Sequence, residues 1–122
     1  MRISQADYLQ MCQRIAKHEP ITRHDPEAEI HDEIVKICRE HGWYFVHSRM
    51  DKRTTCGIGT PDFFIFMPGG HVMAIECKKG NEKLSPEQQA VFAWLRKLGF
   101  ACSVIRSVQE ARLVLNSIDF SE

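Results

Sequence analysis

Net charge is the first thing this sequence lacks: over 122 residues, 16 Lys and Arg are balanced by 16 Asp and Glu. That balance argues against a protein that grips nucleic acid over its whole surface, though not against a local basic patch. Paired cysteines are missing too. The five present, Cys12, Cys38, Cys56, Cys77 and Cys102, are odd in number and widely spaced, with no Cys-x-x-Cys, which argues against a disulfide framework or a structural zinc site. Cys38, Cys77 and Cys102 fall at positions expected to be buried, where cysteine behaves as a small apolar residue. Six histidines show no His-x-x-x-His spacing and read as scattered. No apolar run approaches the roughly 18 residues of a membrane span, and the start Met-Arg-Ile-Ser-Gln-Ala-Asp has no signal-peptide core. The expectation is a cytoplasmic protein. With 43% hydrophobic and 26% charged residues, the chain is of ordinary globular composition and long enough to bury a core.

What is present is concentrated between Gly57 and Lys79. Phe63 to Met67 is an apolar, aromatic-rich run, Pro68-Gly69-Gly70 signals a turn, and His71 to Cys77 is a second run of strand formers, so the stretch predicts a β-hairpin. Alternation along the second strand sends Glu76 and Lys78 to one face and Ile75 and Cys77 to the other. Antiparallel pairing through the turn brings Asp62, at the mouth of the first strand, beside Glu76 and Lys78. Two carboxylates that close raise the cost of ionising each other unless a cation stands between them, and a hard divalent ion, Mg²⁺ or Mn²⁺, suits oxygen ligands. Lys78 beside such an ion could orient a water or offset charge on a phosphate oxygen. Each motif alone has an ordinary explanation, since Asp after Thr-Pro is often a turn former and Glu-x-Lys often a solvated ion pair. Their joint placement at one end of a hairpin favours metal-assisted phosphodiester hydrolysis.

Around the hairpin the chain reads as α-α-β-β-β-α-β-α. Ser4 to about Lys17 predicts an amphipathic helix, with His18 to His24 as a linker. Asp25-Pro26 opens a second helix with an apolar stripe of Ile30, Ile34, Ile37 and Cys38, ended by Gly42. Glu27 falls on its inward face near the start, where a carboxylate also favours the helix N-terminus; Glu29 and Glu33 compete for the same role. Trp43 to Arg49 predicts the first strand. Arg49, Lys52 and Arg53 before Gly57 and Gly59, with Lys78, Lys79 and Lys83 after the hairpin, flank the site where phosphates would pass. The two glycines could also let a phosphate approach closely, or simply make a flexible loop. Ser85-Pro86-Glu87-Gln88 forms a capping box for a helix whose expected buried face is Ala90, Val91, Trp94, Leu95 and Leu98, with Gly99 as its stop. Phe100 to Ile105 predicts a strand, and Ser107 to Glu110 caps a last helix to about Asn116.

Gly59-Thr60-Pro61-Asp62, the strand-turn-strand and Glu76-Cys77-Lys78 resemble the signature of PD-(D/E)xK nucleases, in particular of the virus-type replication-repair nuclease (VRR-NUC) domain. Leu84-Ser85-Pro86-Glu87-Gln88 and Gly99-Phe100 extend the likeness, which covers roughly Asp25 to Ala111. The resemblance implies a restriction-endonuclease-like α/β core, a mixed sheet flanked by helices, with residues 1–24 as an N-terminal helix and linker and 25–122 as the nuclease domain. It implies a Mg²⁺- or Mn²⁺-dependent DNA endonuclease acting on branched or structured DNA, related to Holliday-junction resolvases, of bacterial or phage-infected cytoplasm and DNA repair. Asp62, Glu76 and the Cys77 carbonyl would bind the metal, Lys78 would serve the water, and Gln88 and Glu27 would support the site, Glu27 through water. Gln88 is explained as well by capping alone. Two strands cut by one small enzyme imply a homodimer. The competing expectation is a catalytically silent nuclease-fold protein that binds nucleic acid or a protein partner.

Overall fold

The computed structural model describes residues 4–6, 26–48 and 57–120. Of the predicted N-terminal helix only Ser4, Gln5 and Ala6 fall in that set, the last two helical. The linker His18 to His24 and the basic loop carrying Arg49, Lys52 and Arg53 lie outside the described residues.

Helix α1 spans Pro26–His41 and buries Ile30, Ile34, Ile37 and Cys38, the stripe expected from 3.6-residue spacing. It ends at Gly42, and Trp43 N donates to Cys38 O at 2.9 Å. Strand β1 is Tyr44–His47, shorter than predicted. β2 is Phe63–Met67 and β3 is His71–Cys77, joined by a 3₁₀ turn over Pro68–Gly70. Both turn glycines hold φ near +75°, a region closed to most side chains. The hairpin is therefore where turn chemistry and period-2 alternation placed it. Phe63 pairs with Ile75, so the next residues outward, Asp62 and Glu76, come opposite each other.

Helix α2 spans Pro86–Lys97, β4 Ala101–Ile105 and α3 Val108–Asn116. The sheet order is β1-β2-β3-β4, with the first two pairings antiparallel and β3–β4 parallel; α2 is the crossover a parallel pair needs. This is an α/β fold with a mixed sheet between helices. α1 and α3 cover one face, where Ile34, Phe45, Phe63, Ile65, Ile75, Cys77, Ile105 and Leu115 form one core. An ion pair, Arg112 Nε to Glu33 Oε1 at 2.9 Å, ties α3 to α1.

α2 covers the other face, and here the expected buried set needs correcting. Trp94 and Leu98 are 67% and 59% exposed, and Ala90 is exposed; the fully buried residue is Phe92. Because Gln88 and Phe92 are four apart, the inward face is turned from the predicted one toward the Gln88 side. Cys102 is half-buried rather than buried, whereas Cys38 and Cys77 are buried. Among the described residues no helix is long and apolar enough to cross a membrane.

Candidate active site

Asp62 sits one residue before β2, and its Oδ2 accepts the Cys77 N–H at 2.8 Å. That bond staples the mouth of β2 to the end of β3. The side chain is largely buried, and His31 Nε2 stands 3.5 Å from the same oxygen. Burial alone would raise the pKa of Asp62, but His31 and the Cys77 N–H together outweigh it and hold the carboxyl below its usual range.

Among the described residues, Glu76 is the one polar or charged side chain in the buried set, 4% exposed. Its Oε1 accepts a hydrogen bond from Gln88 Nε2 at 3.1 Å, while Oε2 is sealed from solvent with no hydrogen-bond partner. Burial, then the charge of Asp62, push its pKa up to about 8; Lys78 acts in the opposite direction. With both carboxyls ionised nothing donates to Oε2, so the pair is satisfied either by a shared proton or by a cation.

Gln88 caps α2 and also reaches Glu76. Its Oε1 accepts from Ser85 N at 2.8 Å and its backbone N donates to Ser85 Oγ at 3.1 Å, a complete capping box. That anchorage leaves the amide Nε2 free to reach Glu76. One side chain caps α2 and fixes the carboxylate.

The three candidate acids of α1, Glu27, Glu29 and Glu33, separate clearly. Glu33 is committed to Arg112, and Glu29 is exposed. Glu27 is half-buried and near enough to Cys77 that, after burial, Asp62 and Glu76, its charge helps raise the thiol pKa. Among the three, Glu27 is the one whose charge is felt at Cys77.

Lys78 follows the end of β3, half-buried, its N–H donating to Ile105 O at 3.1 Å. Lys79 and Lys83 are exposed. Arg106, which the sequence reading passed over, reaches back across the loop between them: its Nη1 donates to Gly80 O at 3.0 Å and Glu82 O at 2.6 Å. Gly57 is exposed with open space around it, whereas Gly59, at φ +87°, has a packing reason for its identity. A Cβ there would stand 2.7 Å from the Glu87 carbonyl oxygen, so the glycine lets the loop lie against the start of α2.

His31 is the site residue that the sequence reading missed. It was one of six scattered histidines, yet α1 places its ring with Asp62 and Cys77, one candidate ligand atom of each lying within 4.8 Å of the others. Only its position four residues after Glu27 on the same helix face could have flagged it. His47 stacks flat on Phe63, centroids 4.2 Å apart.

Solved structures share the fold, among them two VRR_NUC domains. One, a VRR_NUC domain, is 20% identical with a TM-score of 0.64, covering 77% of this chain and 98% of its own. Another, a VRR_NUC domain protein, is 19% identical with a TM-score of 0.51, covering 95% of this chain and 88% of its own. No curated protein matches the chain. The family model of the VRR-NUC domain matches residues 3–109, beginning well before Asp25, where the resemblance of motifs begins. With that match over most of its length, and with the two carboxyls, lysine and glutamine of the motif gathered at the end of one hairpin, the chain belongs to the VRR-NUC family of nuclease-type domains.

Proposed function

We propose that this chain is a Mg²⁺- or Mn²⁺-dependent DNA endonuclease acting on branched or structured DNA. The observation that carries the reading is the buried pair Asp62 and Glu76, in which Glu76 Oε2 has no hydrogen-bond donor. Such an orphaned oxygen beside a second carboxylate fits a hard divalent ion.

Asp62, Glu76 and the Cys77 carbonyl would hold the ion, with Glu27 contributing through water. When bound, it supplies positive charge to the phosphate and acidity to a coordinated water. The protein's own share is positioning. Gln88 fixes Glu76 through Nε2 and is itself fixed by Ser85, so the carboxylate is oriented before substrate arrives. Cys77 N–H does the same for Asp62. Lys78, close enough to favour ionised Glu76, orients the water or offsets charge on the phosphate. Arg49, Lys52, Arg53, Gly57, Gly59, Lys79 and Lys83 are assigned to the DNA backbone. A two-fold homodimer would give each strand of a junction its own site, and the proposed compartment is a bacterial or phage-infected cytoplasm.

The experiment is cleavage of matched single-stranded, duplex, flap and four-way DNA, with Mg²⁺ or Mn²⁺ and with chelator. Metal-dependent scission that favours branched forms is expected. Equal cutting of every form would overturn the substrate assignment, and equal cutting in chelator the metal assignment.

A further inference from the structure

In the chemistry above His31 does no more than favour ionised Asp62. Its side chain is 16% exposed, and its Nε2 lies 3.5 Å from Asp62 Oδ2, sealed from solvent and without a hydrogen bond. The oxygen it faces also accepts the Cys77 N–H, so the nitrogen is aimed at a carboxylate oxygen from a distance longer than an ordinary hydrogen bond. Its ring is braced edge-on by His47, centroids 4.8 Å apart, and by Phe63 at 5.4 Å. The aim of the nitrogen is thus fixed by packing and needs no ion to set it.

The spacing suits a shared ion. Neighbouring ligands of an octahedral ion with bonds of ~2.1 Å stand ~3 Å apart and opposite ones ~4.2 Å, and the 3.5 Å between Nε2 and Oδ2 falls inside that range. Cys77 is the third member of the cluster, one candidate ligand atom of each residue lying within 4.8 Å of the others. We infer that His31 Nε2 is a nitrogen ligand of this site, which accordingly takes transition ions such as Mn²⁺ and Co²⁺ in preference to Mg²⁺. Imidazole binds first-row transition ions well, whereas Mg²⁺ keeps to oxygen and holds its waters. The inference rests on the metal-dependent reading and adds a ligand and a selectivity to it.

Calorimetric titration of the full chain with Mg²⁺, Mn²⁺ and Co²⁺, together with pulsed EPR of the Mn²⁺-loaded protein, tests it without any turnover. The parent protein should bind Mn²⁺ and Co²⁺ more tightly than Mg²⁺ and show ¹⁴N modulation that changes when its histidines carry ¹⁵N. His31→Gln should lose that modulation and weaken Mn²⁺ binding by roughly 10-fold or more, the scale seen when groups around a bound metal are removed, while its Mg²⁺ affinity stays as in the parent. His47→Gln should keep the modulation. Mn²⁺ bound by the parent without nitrogen modulation overturns the inference and leaves the nuclease reading standing. Modulation that survives His31→Gln and vanishes in His47→Gln overturns it in favour of the neighbour. A parent that binds no ion overturns both.

Discussion

A carboxyl buried beside another carboxyl keeps its proton longer, and Glu76 is in that position, its pKa raised from 4.5 to about 8 by burial and by Asp62. The folded state then holds a proton that the unfolded chain has released, so in chelator stability is greatest below pH 4.5 and falls as pH rises toward 8, by on the order of a few kcal/mol. Asp62, held low, acts oppositely and only at acid pH, outside that window. Melting temperature against pH in chelator should slope downward between pH 5 and 8, Glu76→Gln should remove that slope, and added Mn²⁺ should restore stability at pH 8. A flat parent profile would mean that the pair is not coupled in solution. Lys78 makes a second residue-scale prediction. Lys78→Ala should lower the single-turnover rate by ~10²–10⁴, as for a positioned proton-transfer or charge-stabilising group, with little change in DNA or metal affinity. Lys79, exposed, is the internal control, and equal losses in Lys79→Ala would contradict the assignment. Asp62, Glu76 and Lys78 were legible in the sequence because a period-2 strand and a tight turn fix their places. His31 was not, since its place depends on how α1 lies over the mouth of β2, which no local pattern encodes.

Elements that carry their own boundary signals were the readable ones. Ser85 and Gln88 mark the start of α2 from sequence, and the capping box forms as written. The buried face of α2 was misread because an apolar stripe looks the same whether it meets a sheet or solvent. Phe92 turns inward and Trp94 outward, a rotation set by Gln88 reaching Glu76 and Gly59 lying against Glu87. The two roles of Gln88 can be separated. Ser85→Ala and Gln88→Ala each remove part of the cap and should each destabilise the fold by about 1 kcal/mol. Only Gln88→Ala also releases Glu76, so only that variant should lose cleavage rate and metal affinity beyond its loss of stability. Equal rates in the two variants would mean that Gln88 acts solely through the helix end.

At the scale of the whole molecule, the balance of 16 basic and 16 acidic residues leaves DNA binding to local charge. The acidic pair sits beside Lys78, with exposed Lys79 and Lys83 nearby on a loop tied down by Arg106. If Lys52 and Arg53 complete that basic rim, Lys52→Ala and Arg53→Ala should each reduce the slope of log affinity against log salt by about one; a slope equal to the parent's removes the loop from the interface. The hairpin was legible because a tight turn joins two strand-forming runs, whereas the sheet order and the convergence of α1, β2, β3 and α2 on one pair of carboxyls belong to the assembled fold. The central claim is that this convergence cuts DNA with a divalent ion. The most direct measurement is single-turnover cleavage of a four-way DNA junction by the parent and by Glu76→Gln, with Mn²⁺ and with chelator, both proteins shown folded by circular dichroism. Scission by the parent with Mn²⁺ alone, and none by Glu76→Gln, is the predicted result. Equal cleavage by the two proteins, or none by the folded, metal-loaded parent, would contradict the account.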